Sequence, residues 1–140
     1  MQFEGRVALI TGAGSGIGKG AAIDLAKQGA RVACLGRTVS QLQEVAAEIE
    51  DAGGEAIVVR VDVSQPVDLQ AAVRQVADAW GRIDIVVANA GINGVWAPLE
   101  ELTSEEWDQT LDINLKGTFL TVKYALPYLK RQGGSVIVES

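Results

Sequence analysis

The chain has no histidine, only one cysteine, and fewer basic than acidic residues. Without histidine, neither a Ser-His-Asp triad nor a histidine-ligated metal can be built, and we predict no metal site. Because Cys34 has no partner cysteine, no internal disulfide can form, and we expect a reducing, cytoplasmic compartment. The net charge of −6 argues against nucleic acid as a partner.

Long hydrophobic runs are also missing. No apolar stretch approaches the roughly 20 residues that a membrane-spanning helix needs, and Met1–Arg6 shows no basic-then-apolar signal pattern. We therefore expect no association with membranes. A length of 140 residues with 48% hydrophobic and 21% charged residues suits a single globular domain, residues 1–140.

Apolar runs rich in β-branched residues alternate with helix-like patterns along the chain. This alternation indicates repeated βαβ units and predicts an α/β fold on a parallel sheet. The predicted strands are Val7–Thr11, Ala30–Gly36, Glu55–Val61, Ile83–Asn89 and Ser135–Glu139. The predicted helices are Ile17–Gln28, Ser40–Ala52, Pro66–Trp80 and Thr103–Arg131.

The first predicted strand runs into a glycine-dense turn, Gly12-Ala13-Gly14-Ser15-Gly16-Ile17-Gly18. A buried strand that enters a helix through such a turn presents free backbone N–H groups at a helix N-terminus, which attracts phosphate. Gly12 permits a tight turn, Gly16 lets a pyrophosphate approach the backbone, and Gly18 lets helix and strand pack closely. We therefore predict dinucleotide binding. The alternative is a glycine-rich turn without a ligand.

The spacing of the glycines separates this turn from other phosphate-binding loops. A P-loop requires Gly-Lys followed by Ser or Thr, whereas Lys19 is followed by Gly20. A G-x-G-x-x-G motif that starts at Gly14 would need a third glycine at Lys19. Neither motif fits.

The pattern Thr-Gly-x-x-x-Gly-Ile-Gly, from Thr11 to Gly18, resembles the cofactor loop of short-chain dehydrogenases/reductases. The resemblance implies a Rossmann-type, doubly wound parallel sheet of strand order 3-2-1-4-5. It also places a group of loop residues at the cofactor: Gly12, Ser15, Gly16, Ile17 and Gly18.

The second predicted strand ends in Cys34-Leu35-Gly36-Arg37. In NAD-binding folds an Asp or Glu near this point accepts hydrogen bonds from the adenosine ribose, and Gly36 takes that place here. Without a carboxylate nothing repels a 2′-phosphate, and the Arg37 guanidinium can pair with it. We predict NADP(H) as the preferred cofactor and NAD(H) as the second option. The alternative is a solvated loop arginine, since the family's other basic residue is absent at Ser15.

The third predicted strand leads into Asp62 and Val63. The resemblance implies that the Asp62 carboxylate accepts a hydrogen bond from the adenine amino group, while the Val63 backbone contacts the ring. Read alone, Asp62 is a helix-side turn residue that serves with Ser64 as a cap before Pro66.

The fourth predicted strand ends in Ala88-Asn89-Ala90-Gly91, which resembles the family's Asn-Asn-Ala-Gly with Ala88 at the first position. The resemblance implies that Asn89 braces the sheet and that Ala90 and Gly91 line the cofactor ribose. Read alone, Asn-Ala-Gly is only a turn.

The segment Leu111–Phe119 resembles the family's Asn-x-x-Gly, and Asn114 matches its catalytic asparagine. Asn114 and Gly117 are poor residues in the middle of a helix, so we predict a kink there. In the family, a water held at this kink takes part in a proton relay. The alternative is an asparagine that hydrogen-bonds its own helix backbone.

The last predicted strand resembles the one that carries the family's catalytic serine, usually the second of a Ser-Ser pair. By spacing from Asn114 that serine would be residue 141, and Ser140 would be the first of the pair; Ser140 is retained as a candidate catalytic residue. The family's Tyr-x-x-x-Lys does not occur in the 140 residues, because Tyr124 is followed four positions later by Tyr128, and Tyr128 by Gln132.

The resemblance therefore covers the cofactor half of the family domain and lacks its last strands and helices. We expect the parent protein to be an NADP(H)-dependent oxidoreductase acting on a small-molecule alcohol or carbonyl compound, and these 140 residues alone to be inactive. One alternative is a non-catalytic nucleotide-binding module. Another, an S-adenosylmethionine methyltransferase, is disfavoured by the missing acidic residue after the second strand.

Two surfaces give rise to further expectations. The resemblance implies a homo-oligomer, a tetramer or dimer in the complete protein, formed partly through the helix Thr103–Arg131. In a 3-2-1-4-5 sheet, Val136-Ile137-Val138 would be an exposed apolar edge, through which the isolated chain should self-associate.

Trp96, in the loop Ile92–Leu102, either contacts the substrate or covers the core.

Overall fold

The computed structural model describes residues 1–92 and 94–139. Its strands are β1 Val7–Thr11, β2 Arg31–Gly36, β3 Glu55–Arg60, β4 Ile85–Ala88 and β5 Ser135–Val138. They form one sheet in the order β3-β2-β1-β4-β5, and every pairing is parallel. The predicted α/β class, the doubly wound parallel sheet and its strand order are confirmed.

Helices lie between the strands. They are α1 Gly16–Lys27, α2 Val39–Asp51, α3 Pro66–Trp80, α4 Ser104–Leu111 and α5 Gly117–Leu129, with a short 3₁₀ turn at Leu99–Glu101. The single helix predicted over Thr103–Arg131 is wrong in detail, because a π-helical turn, Asp112–Lys116, separates α4 from α5. The predicted kink therefore exists, and it takes the form of an inserted turn of wider hydrogen bonding.

The fourth strand is shorter than predicted. Asn89 leaves the strand ladder because its backbone N–H donates to the Thr11 hydroxyl instead of to a neighbouring carbonyl. At the other end, the Asp84 side chain turns onto the Val7 N–H at 2.9 Å. The Asp84 backbone still bonds to both neighbouring strands, since its N–H donates to the Val7 carbonyl and its carbonyl accepts from the Ser135 N–H, so a side chain ends β4 only at Asn89.

β1 is buried along its whole length because helices cover both faces of the sheet. On one face Ile10 and its neighbours pack with α1 and α2, and on the other Leu9 packs with α3 and α5. Cys34 lies in the first of these clusters, where burial raises the pKa of its thiol to about 11. The thiol is therefore un-ionised at neutral pH.

Local sequence explains the boundaries of the helices. Pro66 occupies the first turn of α3, and Gly81 ends that helix in a left-handed conformation. At the start of α4, Thr103 and Glu106 form the reciprocal hydrogen bonds of a capping box, at 3.1 and 3.0 Å. Within residues 1–92 and 94–139, no helix combines the length and the apolar character needed to cross a membrane.

The amino-terminal ends of β1 and β4 are joined through Asp84, which is only 3% exposed. Its carboxylate accepts two hydrogen bonds from Arg82, at 2.6 and 2.8 Å, and one from the Val7 N–H. The Arg6 guanidinium lies 3.5 Å away. The opposite, carboxyl-terminal edge carries no such ion pair among the described residues, and it is there that the candidate site lies.

Candidate functional site

The glycine turn is shaped by two residues with positive φ and one with no room for a side chain. Gly12 has φ +64° and Gly16 has φ +55°, conformations that other residues rarely adopt. A Cβ added to Gly18 would overlap the Gly12 carbonyl oxygen and the Asn89 side-chain nitrogen. α1 therefore starts directly against the end of β1, as dinucleotide binding requires.

Ser15 is the N-cap residue of α1, yet its side chain makes no capping hydrogen bond, and no acidic residue lies in the first turn of the helix. Within residues 1–92 and 94–139, the first N–H groups of α1 consequently have no side-chain acceptor. Together with the partial positive charge of the helix end, they suit an anion.

Thr11 ties the two central strands together at this edge. Its hydroxyl oxygen accepts the backbone N–H groups of Asn89 at 2.9 Å and Ala90 at 3.0 Å, and the residue is 1% exposed. The Asn89 side chain donates to the Gly12 carbonyl at 3.3 Å. These bonds fix the glycine turn to the end of β4, in keeping with the bracing expected of Asn89. The bridge formed by Thr11 was not foreseen, although its place before Gly12 was the available signal.

Two adjoining cavities run along the carboxyl-terminal edge of the sheet. The smaller, about 240 Å³, lies between the glycine turn, the end of β2 and the loop after β3. The larger, about 530 Å³, lies between α1, the π turn and the end of β5. Because Ala90, Gly91 and Ile92 line both, the two cavities adjoin after β4, beside the point between β1 and β4 where the strand order reverses, and together they are called the groove.

The candidate site residues divide between the two cavities. The smaller is lined by Gly12, Ser15, Arg37, Asp62, Val63, Ala90 and Gly91. The larger is lined by Ile17, Asn89, Ala90, Gly91 and Asn114. Gly16 and Gly18 belong to the glycine turn but line neither cavity. Ser140 lies outside the described residues.

Arg37 and Asp62 face the outer end of the smaller cavity. Arg37 is exposed and has no ion-pair partner within 4.0 Å among residues 1–92 and 94–139. One oxygen of Asp62 accepts hydrogen bonds from the Ser64 N–H at 3.0 Å and the Ser64 hydroxyl at 2.7 Å. Asp62 thus forms the local turn with Ser64, but the cap expected of these two residues is wrong, because the N-cap of α3 is Gln65 and no side chain caps it.

The charge of Asp62 is stabilised by its surroundings. Burial alone would raise the pKa of its carboxyl, but the hydrogen bonds from Ser64 and the positive charges of Arg37 and Arg60 outweigh that effect. The pKa therefore lies below its ordinary value of 3.8. Asp62 is an anionic acceptor at neutral pH.

Asn114 holds the opposite end of the groove. Its side-chain oxygen accepts the Ile92 N–H at 2.7 Å, and its side-chain nitrogen donates to the Ile92 carbonyl at 2.8 Å. The alternative in which this asparagine bonds its own helix backbone is therefore wrong. The backbone carbonyl oxygen of Asn114 accepts a hydrogen bond from the Thr118 hydroxyl at 3.1 Å. Next to it, a Cβ at Gly117 would lie 2.6 Å from Val63 Cγ2, so the π turn packs closely on the loop after β3.

Sequence reasoning missed several residues that line the groove: Gly14, Thr38, Gln41, Ile92 and Thr118. Gly14 and Thr118 lie within the quoted segments but at positions that the motifs leave open, and only the fold brings these five residues together. Trp96 is 91% exposed, so the option that it covers the core is excluded.

Comparisons with known proteins agree on one family. A family model described as short chain dehydrogenase matches residues 6–140. An uncharacterized oxidoreductase of Thermotoga maritima is 44% identical over 138 residues, which are 99% of this chain and 54% of that protein. The chain spans about half the length of the curated relatives it matches.

Solved structures give the same result. A 3-ketoacyl-ACP reductase from Sinorhizobium meliloti 1021 superposes with a TM-score of 0.92 at 54% identity, over 94% of this chain and 52% of that one. A metagenomic short-chain oxidoreductase in complex with NADP superposes with a TM-score of 0.95 at 36% identity, over 99% of this chain and 63% of that one.

Proposed function

Because the chain belongs to the short chain dehydrogenase family, we propose that it supplies the cofactor-binding part of an NADP(H)-dependent oxidoreductase. The whole protein would interconvert a small-molecule alcohol and carbonyl compound by hydride transfer. The observation that carries the proposal is the groove formed by the two adjoining cavities. Among the described residues, Ser15 does not cap the start of α1, and Arg37 in the smaller cavity has no ion-pair partner.

The residues of the groove fit a dinucleotide. Gly16 offers open space at positive φ where a diphosphate can approach the backbone, and Gly18 keeps the start of α1 against β1. In this arrangement Ser15, Gly16 and Ile17 would hold the diphosphate. Asp62 and Val63 would hold the adenine, and Ala90 and Gly91 a ribose.

When bound, the nicotinamide ring supplies the hydride acceptor or donor. In the larger cavity, where the nicotinamide would lie, the residues of this chain would hold the reacting groups in position. Asn114 fixes the backbone at Ile92, and Ile17, Leu115 and Val138 give the larger cavity apolar walls. Asn114 and Ser140 remain the proposed catalytic residues of this chain.

The preference for NADP(H) rests on the end of β2. No carboxylate stands at Gly36 to accept from a ribose hydroxyl or to repel a phosphate, and Arg37 lines the cavity beside it. The solved relative that contains NADP, which matches 99% of this chain, supports the same choice.

Measurement of dissociation constants for NADPH and NADH by nicotinamide fluorescence tests this preference. We expect tighter binding of NADPH, and we expect Arg37→Ala to weaken NADPH binding about ten- to hundredfold with little change for NADH, because one charge-assisted hydrogen bond is lost. Arg31→Ala is the matched control. Arg31 is the first residue of β2, the strand that Arg37 follows, so it lies at the opposite edge of the sheet, where it pairs with Glu55. Tighter binding of NADH by the unsubstituted protein would contradict the preference.

Carbonyl-dependent loss of NADPH absorbance tests the reaction itself. Turnover by the whole protein is the expected result, whereas binding without turnover of any carbonyl or alcohol would favour a non-catalytic nucleotide-binding module.

We also propose that residues 1–140 act as one domain and that the complete protein is a homo-oligomer. Apolar side chains are exposed along α4, the π turn and α5, among them Trp107 at 54%, Leu115 at 66% and Phe119 at 60%. Apolar surface of this extent on neighbouring helices supports burial against another subunit.

A further inference from the structure

Gln41 is a polar side chain of the smaller cavity for which the proposed function gives no role. It lies in the first turn of α2 and lines the cavity together with Arg37, Thr38 and Ser15. Within residues 1–92 and 94–139 its amide forms no hydrogen bond with another protein group. The amide N–H groups are therefore available to a ligand.

Gly14 shows how closely the Gln41 side chain approaches the glycine turn. The φ of Gly14 is not positive, so its backbone conformation alone does not require glycine. A Cβ at Gly14 would nevertheless lie 2.9 Å from Gln41 Cβ and 3.1 Å from its Oε1. Glycine is needed there because Gln41 occupies that space, and the contact sets the amide beside the turn.

The chemistry of the cavity indicates what the amide would meet. Among the described residues that line it, Arg37 and Gln41 carry side-chain N–H groups, and the hydroxyls of Ser15 and Thr38 make no capping hydrogen bonds. The carboxylate of Asp62 already accepts from Ser64. A phosphate monoester has several strong acceptor oxygens, which match the Arg37 cation and the neutral donors of this wall, whereas the anionic carboxylate of Asp62 does not attract it.

We propose that Gln41 is a specificity-determining residue whose amide donates a hydrogen bond to the 2′-phosphate of NADP(H) beside Arg37. This inference rests on the proposed function, because only NADP(H) carries that phosphate. Gly14 serves the same purpose indirectly by leaving room for the Gln41 side chain.

Gln41→Glu keeps the shape of the side chain and replaces the donor by an anion. We expect it to raise the dissociation constant for NADPH about tenfold or more, while the constant for NADH stays within about twofold. Gln41→Ala, which removes the donor without adding charge, should have a smaller effect in the same direction. Binding of NADH shows that each variant is folded.

Gln43→Glu is the matched control, since Gln43 is an exposed residue of the same helix and the substitution makes the same change in charge. It should leave both constants unchanged. If Gln41→Glu left the ratio of the two constants unaltered while Arg37→Ala reduced it, the role of Gln41 would be overturned and the NADP(H) proposal would stand. If the unsubstituted protein bound NADH as tightly as NADPH, both would be overturned.

Discussion

At the scale of single residues, Gly18 is the position of the glycine turn with the least room. A Cβ there would meet the Gly12 carbonyl and the Asn89 side chain, both of which are held by the end of the sheet. We expect Gly18→Ala to lower the free energy of unfolding by about 1–3 kcal/mol and to weaken cofactor binding. Urea denaturation measures the first effect and fluorescence titration the second.

Gly20→Ala provides the control, because Gly20 lies in the same helix and nothing lies within 4 Å of an added Cβ. Alanine favours the helix there by up to about 1 kcal/mol. Equal stability of the two alanine variants would contradict the close packing of α1 on β1.

Asp84 gives a residue-scale prediction about pH. Burial alone would raise the pKa of its carboxyl, but the hydrogen bonds from Arg82 and Val7 and the charges of Arg82 and Arg6 outweigh that effect and lower it below 3.8. A group with a lowered pKa stabilises the folded state fully above its unfolded pKa. That stabilisation is lost as the pH falls below 3.8 and through the folded pKa.

We therefore expect Asp84→Asn to reduce stability at pH 7 by roughly 1–3 kcal/mol and to flatten the loss of stability below about pH 4. Chemical denaturation across a pH series measures both. Asp78→Asn, at an exposed position on α3, should change neither. A pH profile of Asp84→Asn parallel to that of the unsubstituted protein would rule out this contribution.

At the scale of elements, the π turn matters because Asn114 holds Ile92 through both atoms of its amide. Asn114→Ala frees the loop after β4, and we expect turnover by the whole enzyme to fall roughly ten- to hundredfold as groups at the groove lose their alignment. Hydrogen exchange of the Ile92 amide should become faster. Lys116→Ala, at an exposed position of the same turn, should leave turnover and exchange unchanged; a normal rate in Asn114→Ala would remove Asn114 from the mechanism.

The elements themselves were predictable to a large extent, because βα alternation and terminal glycines are local signals. α3 was predicted at its observed bounds, and the strand order followed from the resemblance of the glycine turn. The interruption between α4 and α5 was predicted as a kink, because Asn114 and Gly117 are poor helix formers. The Asn114 side chain in this π turn bonds to Ile92, a contact across 22 positions that no local pattern contains.

The same reasoning explains what was missed in the site. Gly14 looked like one more turn glycine, and its contact with Gln41 arises only when α2 packs beside the loop. Asp84 read as one polar residue within a strand, whereas its partners Arg6 and Val7 lie more than 70 positions earlier in the chain. Motifs locate groups that touch a ligand, but they do not reveal the contacts that hold those groups in place.

At the scale of the whole molecule, β5 leaves apolar surface at one edge of the sheet. Val136, Ile137 and Val138 are 41%, 50% and 54% exposed. An exposed apolar edge pairs with other strands, so we expect the 140-residue chain in isolation to self-associate, and Ile137→Lys to reduce this. Light scattering measures the association; a monodisperse monomer before substitution would contradict the prediction.

The pairing of β1 with β4 joins Ala8 to Ile85, 77 positions along the chain, and the groove lies across that pairing. β1, β2 and β3 can associate through short crossovers, but the fourth strand must close a much longer loop before it docks. Affinity for nucleotide should accordingly be the last property recovered on refolding. In stopped-flow experiments, the helical circular dichroism signal should return before nicotinamide fluorescence does.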